Sequence, residues 1–157
     1  MENAIQLANR FREVLLNGKW VANTNYNEQI SQVTFEQAIK KVGTLNTIAL
    51  LTYHINYYLE GVLNFFNTGK MEISDKFSFE MPPLNHDSDW IQLKSNILKN
   101  AENFALAIEQ MSDTKLESVF LDKKYGTYRR NIEGMIEHCY YHLGQIVLIR
   151  KMINDQP

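Results

Sequence analysis

Gly134-Met-Ile-Glu-His138-Cys-Tyr-Tyr-His142-Leu-Gly144-Gln145-Ile146 is the stretch on which the reading of this chain turns. Extended on both sides, it carries the series Met135, His138, His142, Gln145, Ile149, Met152, which advances by threes and fours. That is the period of one face of an α-helix. A second series, Ile132, Ile136, Cys139, Leu143, Ile146, Ile153, runs beside it. Glu133, Glu137, Tyr140 and Lys151 are left for solvent. A helix apolar over so much of its circumference has neighbours on more than one side. The segment predicts a long interior helix, starting between Thr127 and Asn131 and running to about Asn154.

Three more segments share the helical period. One covers residues 2–16, with Ile5, Ala8, Phe11 and Leu15 on one face and Gly18 as a stop. Another covers residues 46–67, with Asn46 as its N-cap and Gly69 just beyond. The third starts near Ser88 or Asp89, and its stripe Trp90, Leu93, Ile97, Ala101, Phe104, Ile108, Met111 is a bundle-packing pattern. Strand signals are weak: Val33-Thr34-Phe35 and Phe77-Ser78-Phe79 are short, and Thr34-Phe-Glu-Gln37 reads better as a capping box. The expectation is an all-α four-helix bundle, one domain over residues 1–157. Its connections, about 28 residues and then about 20 each, exceed the usual 2–8 of a bundle. At that length they permit crossovers between distant helix ends.

Composition bounds the function classes. The chain is 45% hydrophobic and 22% charged, as ordinary globular proteins are, with a formal net charge of −2. No nucleic-acid partner is expected, and Lys123, Lys124, Arg129 and Arg130 read as a solvated loop. One cysteine allows no intrachain disulfide, and no apolar run is long enough for a membrane. Without a signal-peptide pattern at the start, the expected location is cytoplasmic.

His138 and His142 stand one helical turn apart, so both can reach one metal ion. In the second helix His54 lies on the face with Leu50, Tyr57 or Tyr58, Gly61 and Phe65, while Thr52, Asn56, Glu60, Asn64 and Asn67 make a polar stripe. If the two histidine faces meet, three imidazoles converge with one coordination position open. A single histidine on an apolar face is more often a hydrogen-bonded core residue. Three that each need a buried polar partner are harder to satisfy without a metal.

The run from Gly134 to Ile146 resembles the signature of the DinB/YfiT-like family, metal-binding four-helix bundles that carry His-x-x-Tyr-His-x-Gly-Gln on the last helix. His54, in Ala49-Leu-Leu-Thr-Tyr-His-Ile-Asn, falls where that family's first ligand stands. The resemblance implies an up-down-down-up bundle with long connections, often dimeric, and a divalent ion, zinc or nickel, on His54, His138 and His142. Characterised members include metal-dependent transferases that use a low-molecular-weight thiol such as bacillithiol. Relatives often carry an acidic residue after the first of the two last-helix histidines. Here it is Cys139, so no general base carries over at that position.

The remaining candidates are supporting ones. Gln145 can hydrogen-bond a ligand imidazole or a metal-bound water, and Tyr57, Tyr58 and Tyr141 can line a pocket, although aromatic packing is the commoner role. Cys139 sits about 100° from His138 and reads as a small core residue, and its presence removes the glutamate of a zincin protease. His86, in a Pro- and Asp-rich loop, is an alternative ligand, although a solvated loop histidine is the commoner case. Gly61, Gly134 and Gly144 each cost a helix about 1 kcal/mol against alanine, for which close helix approach is the expected reason. The expected function is transfer of a thiol to an electrophilic small molecule. The alternatives are hydrolysis by a metal-activated water and a non-catalytic metal-binding, stress-associated homodimer formed through the second apolar stripe.

Overall fold

The computed structural model describes residues 2–155, and among these the fold is all-helical, with seven α-helices and no strand. Four are long or lengthened: α1 (Glu2–Arg12), which continues through a π-helical turn (Glu13–Asn17), α4 (Ile48–Thr68), α5 (Asp87–Glu109) and α7 (Tyr128–Asn154). The other three, α2 (Tyr26–Ser31), α3 (Phe35–Ile39) and α6 (Asp113–Glu117), are short helices inside the long connections. Short 3₁₀ turns at Asp75–Phe77 and Lys123–Tyr125 complete the set. Of the two weak strand signals, Phe77-Ser78 falls at the end of a 3₁₀ turn and Thr34-Phe35 opens α3 through a full Thr34/Gln37 capping box. Among the described residues no helix is long and apolar enough to cross a membrane.

Caps explain the helix limits. Thr47, one residue later than expected, opens α4 by accepting from the Leu50 N–H at 3.1 Å. Gly69 closes α4 with φ of 72°, a conformation that glycine adopts without a Cβ penalty. Thr127 opens α7 by accepting from the Arg130 N–H. At the end of the first helical segment the chain folds back so closely that a Cβ on Gly18 would lie 2.1 Å from the Glu13 side chain.

The core lies among the long helices. The α5 stripe from Trp90 to Met111 is buried throughout, as is the α7 series from Ile132 to Ile153. On α1 the buried face is Ala4, Leu7, Ala8 and Phe11, and Ile5 is exposed, because the helix is rotated slightly from the expected face. The polar stripe of α4 is not wholly solvated either. Thr52 and Asn56 are buried against neighbours, Thr52 donating to the Ile48 carbonyl and Asn56 accepting from Asn100 at 2.9 Å. Buried polar atoms are tolerated there because each has a partner.

Side-chain contacts give the registers. α1 meets α5 through Arg12 with Glu102 and Glu109, and through Phe11 with Phe104; Asn3 bonds Asp113 just beyond α5. α4 meets α5 through Asn56 with Asn100 and Phe66 with Phe104. α4 meets α7 through His54 with His138 and His142, and through Phe65 with Tyr128. α1 and the turn after it meet α7 through Arg10 with Glu133 and Glu13 with Tyr140.

Candidate metal centre

The α4–α7 contact brings His54, His138 and His142 together, and one ligand nitrogen from each lies within 4.8 Å of the others. His142 Nε2 is 2.8 Å from His138 Nε2, and His54 Nε2 is 3.2 Å from the same atom. His54 and His142 are 5% exposed, while His138 is half-buried, so the open side of the cluster is at His138.

The outer nitrogens decide what the inner ones can do. His54 Nδ1 faces the Ser78 carbonyl at 3.2 Å, and an N–H there donates to it. His142 Nδ1 faces Gln145 Oε1 at 2.6 Å and donates likewise. In a neutral ring with a protonated Nδ1, Nε2 carries the lone pair. Two lone pairs therefore point at His138 Nε2, which has at most one proton to offer them. A cation at the shared point would resolve the conflict. In a tetrahedral zinc site with bonds of 2.0–2.1 Å, neighbouring donor atoms stand about 3.3 Å apart. The two separations to His138 Nε2, 2.8 and 3.2 Å, are near that value, and the third pair lies within 4.8 Å. The group could hold a metal ion, and its all-imidazole donor set suits zinc, nickel, copper or iron.

Electrostatics keep the three imidazoles neutral. Burial, then the neighbouring His142 and His54, push His138 down to about 4. Burial is also the main cause lowering His54 and His142, partly offset by the bonds to Ser78 and Gln145. At neutral pH all three rings are uncharged, as a ligand must be.

The surrounding shell is partly as expected. Gln145 bridges two residues, since its Nε2 also donates to Tyr141 Oη at 3.2 Å, and Tyr141 packs edge-on to His142. Tyr58 packs edge-on to both His54 and His138, and its hydroxyl donates to Asp75. Tyr57 turns elsewhere: its hydroxyl donates to the Ser74 carbonyl and accepts from the Ser74 N–H, and it lines a larger cavity beside α5. His86 occupies the N-cap position of α5 and is not in the group. Cys139 is fully buried, with its thiol pushed up by burial, and serves as a core residue.

Three contributors were not singled out from sequence. Ser78 supplies a backbone carbonyl to His54, Phe79 stacks on His54 with centroids 3.9 Å apart, and Asp75 reaches the site through Tyr58. All three belong to the connection after α4. A backbone carbonyl has no residue signature, although an aromatic in that connection was a weak signal for a cover over the imidazoles.

Comparison with known proteins finds no matching family model, no similar curated protein and no similar solved structure.

Proposed function

We propose that His54, His138 and His142 hold a divalent ion, zinc or nickel, and that the chain is a transferase joining a low-molecular-weight thiol to an electrophilic small molecule. The observation that carries this reading is the convergence of three Nε2 atoms on one point, two of them left with lone pairs by Nδ1 bonds to Ser78 and Gln145. Such an ion supplies Lewis acidity, lowering the pKa of a thiol or water brought to it. The protein's part is positional. Ser78 and Gln145 fix two ring orientations, Phe79 covers His54, and the half-exposed side at His138 admits the substrate.

The same reading assigns the chain to the DinB/YfiT-like bundles. The contact registers support it: α5 runs against α1, α4 runs with α5, and α7 runs against α4 and with α1. Taken in chain order, α1, α4, α5 and α7 are then up, down, down and up. The ligand distribution, one histidine on α4 and two on α7, also fits that family.

A second reading, metal-dependent hydrolysis, has one observation in its favour. Asp75 stands one phenol away from the imidazoles, accepting from Tyr58 at 3.0 Å, and offers an acid/base group.

The test is metal content by elemental mass spectrometry on wild-type and His138→Ala protein, then a panel of thiols and electrophiles with metal-loaded enzyme. About one ion per chain, absent from the variant, with thiol-dependent conjugation is the expected result. Metal-dependent hydrolysis without thiol would replace the transferase reading, and a wild type that takes up no metal would end both.

A further inference from the structure

A cavity of about 430 Å³ opens beside His138, walled by α7, by the 3₁₀ turn before it and by Tyr58 of α4. Arg130, Gly134 and His138 follow one another at intervals of four along α7, so they share one helix face. Lys124 completes the wall from the turn. The lining holds two cations and no carboxylate. Carboxylates enter at one remove, Glu137 through Arg130, Asp75 through Tyr58 and Asp122 through the backbone N–H of Lys124. The Arg130–Glu137 pair spans 3.2 Å with both side chains about three-fifths exposed, a pair that an incoming anion can displace at small cost. The Lys124 ammonium rests 4.8 Å from the Tyr125 ring centroid, which narrows its range.

Gly134 gives an independent sign of use. A Cβ at this position would meet nothing within 4 Å, so packing does not demand the glycine. What its missing side chain preserves is open volume in front of His138. A larger cavity, about 760 Å³ between α4 and α5, has the opposite character. It is lined by Glu60, Glu72 and several asparagines, with no cation and none of the three histidines.

We infer that the cavity at His138 is an anion subsite, in which Lys124 and Arg130 take the carboxylate or phosphate of a small substrate whose reacting end lies at the imidazole cluster. The substrate class is then an acidic small molecule, either the thiol or its electrophile. That assignment rests on the proposed metal chemistry, whereas the anion site stands on its own residues.

The experiment is an amide NMR titration of metal-free protein with inorganic phosphate and, separately, succinate at low ionic strength, where surface screening is weak. Wild type, Lys124→Gln/Arg130→Gln and Gly134→Leu are compared, with metal uptake of each measured alongside. Saturable shifts around residues 124–138 are expected, about tenfold weaker for each cation removed and lost when leucine fills the cavity. The stronger of the two probes identifies the headgroup. No shift with either anion into the tens of millimolar, or shifts unchanged in the double glutamine variant, overturns the inference. Anion binding retained in a wild type that takes up no metal would uphold the subsite and sink the metal reading.

Discussion

α4 and α7 share two ring clusters, and their contents differ more than their geometry. Toward the end of α4, Phe65 and Phe66 meet Phe120 and Tyr128 with ring centroids 4.6–6.4 Å apart. Three turns earlier, His54 meets Tyr58, Phe79, His138 and His142 with centroids 3.9–5.1 Å apart. Both clusters are built from side chains that helical spacing delivers to one seam. Hydrocarbon rings are satisfied by contact and by removal from water. Imidazoles bring lone pairs, and three of them gathered within 4.8 Å form a group that could hold a metal ion. One cluster is finished by folding, and the other has room for an ion.

The largest expected difference follows directly. His138→Ala abolishes metal uptake but leaves the metal-free protein near wild-type stability, because the lost ring is half-exposed and its removal relieves the crowding of nitrogens. Zinc then raises the melting temperature of wild type and not of the variant, as a ligand selective for the folded state must. Stripping metal with a chelator erases the difference. A variant that still melts higher with zinc would put the ion elsewhere.

Phe65→Ala tests the other cluster. The ring is 4% exposed, and truncating a buried phenylalanine costs about 3–5 kcal/mol. The expected result in denaturant melts is a loss of that size, equal with and without metal, while one ion per chain is still taken up. Loss of metal from folded Phe65→Ala protein would mean that the clusters are mechanically coupled, and the contrast between them would fail.

The two clusters were also unequally legible. The histidines, like the α5 stripe, come from long helices, where a 3.6-residue period fixes which side chains face inward. The cover over His54 comes from Ser78 and Phe79, whose placement depends on how a connection folds back, and no period governs that. α2 and α6 span six and five residues, too short for a periodic signal to rise above composition. Thr52 and Asn56 misled for another reason: polar residues are buried when partners exist, and the partner of Asn56 is 44 residues away. Lys124 and Arg130 are exposed, as their charge predicts, but that they also wall a cavity cannot be seen along one dimension.

Gln145 sits between the clear and the hidden. Its position one turn beyond His142 was visible, and the structure turns that position into a 2.6 Å bond to Nδ1. Gln145→Leu keeps the shape but removes the acceptor, freeing the ring to rotate and to change tautomer. Metal affinity is expected to fall about 10- to 100-fold, with stability little changed. Isothermal titration with zinc reads this out, and Gln145→Glu, which restores an acceptor, should recover the affinity. Equal weakening by both variants would mean that the residue acts through packing.

The smallest effect separates two glycines that look alike in sequence. Gly134 and Gly144 both lie inside α7, and a Cβ on either would meet nothing within 4 Å, so close helix approach, their expected reason, applies to neither. It holds in part for Gly61, where a Cβ would come within 2.5 Å of Ile73, a residue of a connection and not of a helix. Alanine at Gly134 or Gly144 should therefore stabilise α7 by about 0.5–1 kcal/mol, raising the melting temperature by about 1–4 °C. Gly144 is on the outer surface, so Gly144→Ala should change stability alone, whereas Gly134→Ala should gain the same stability and weaken anion binding at His138. Their thermal melts must agree while their titrations differ. If Gly144→Ala instead destabilises the protein, something packs against that surface in solution, and the concentration dependence of the melt will show whether it is a second copy of the chain.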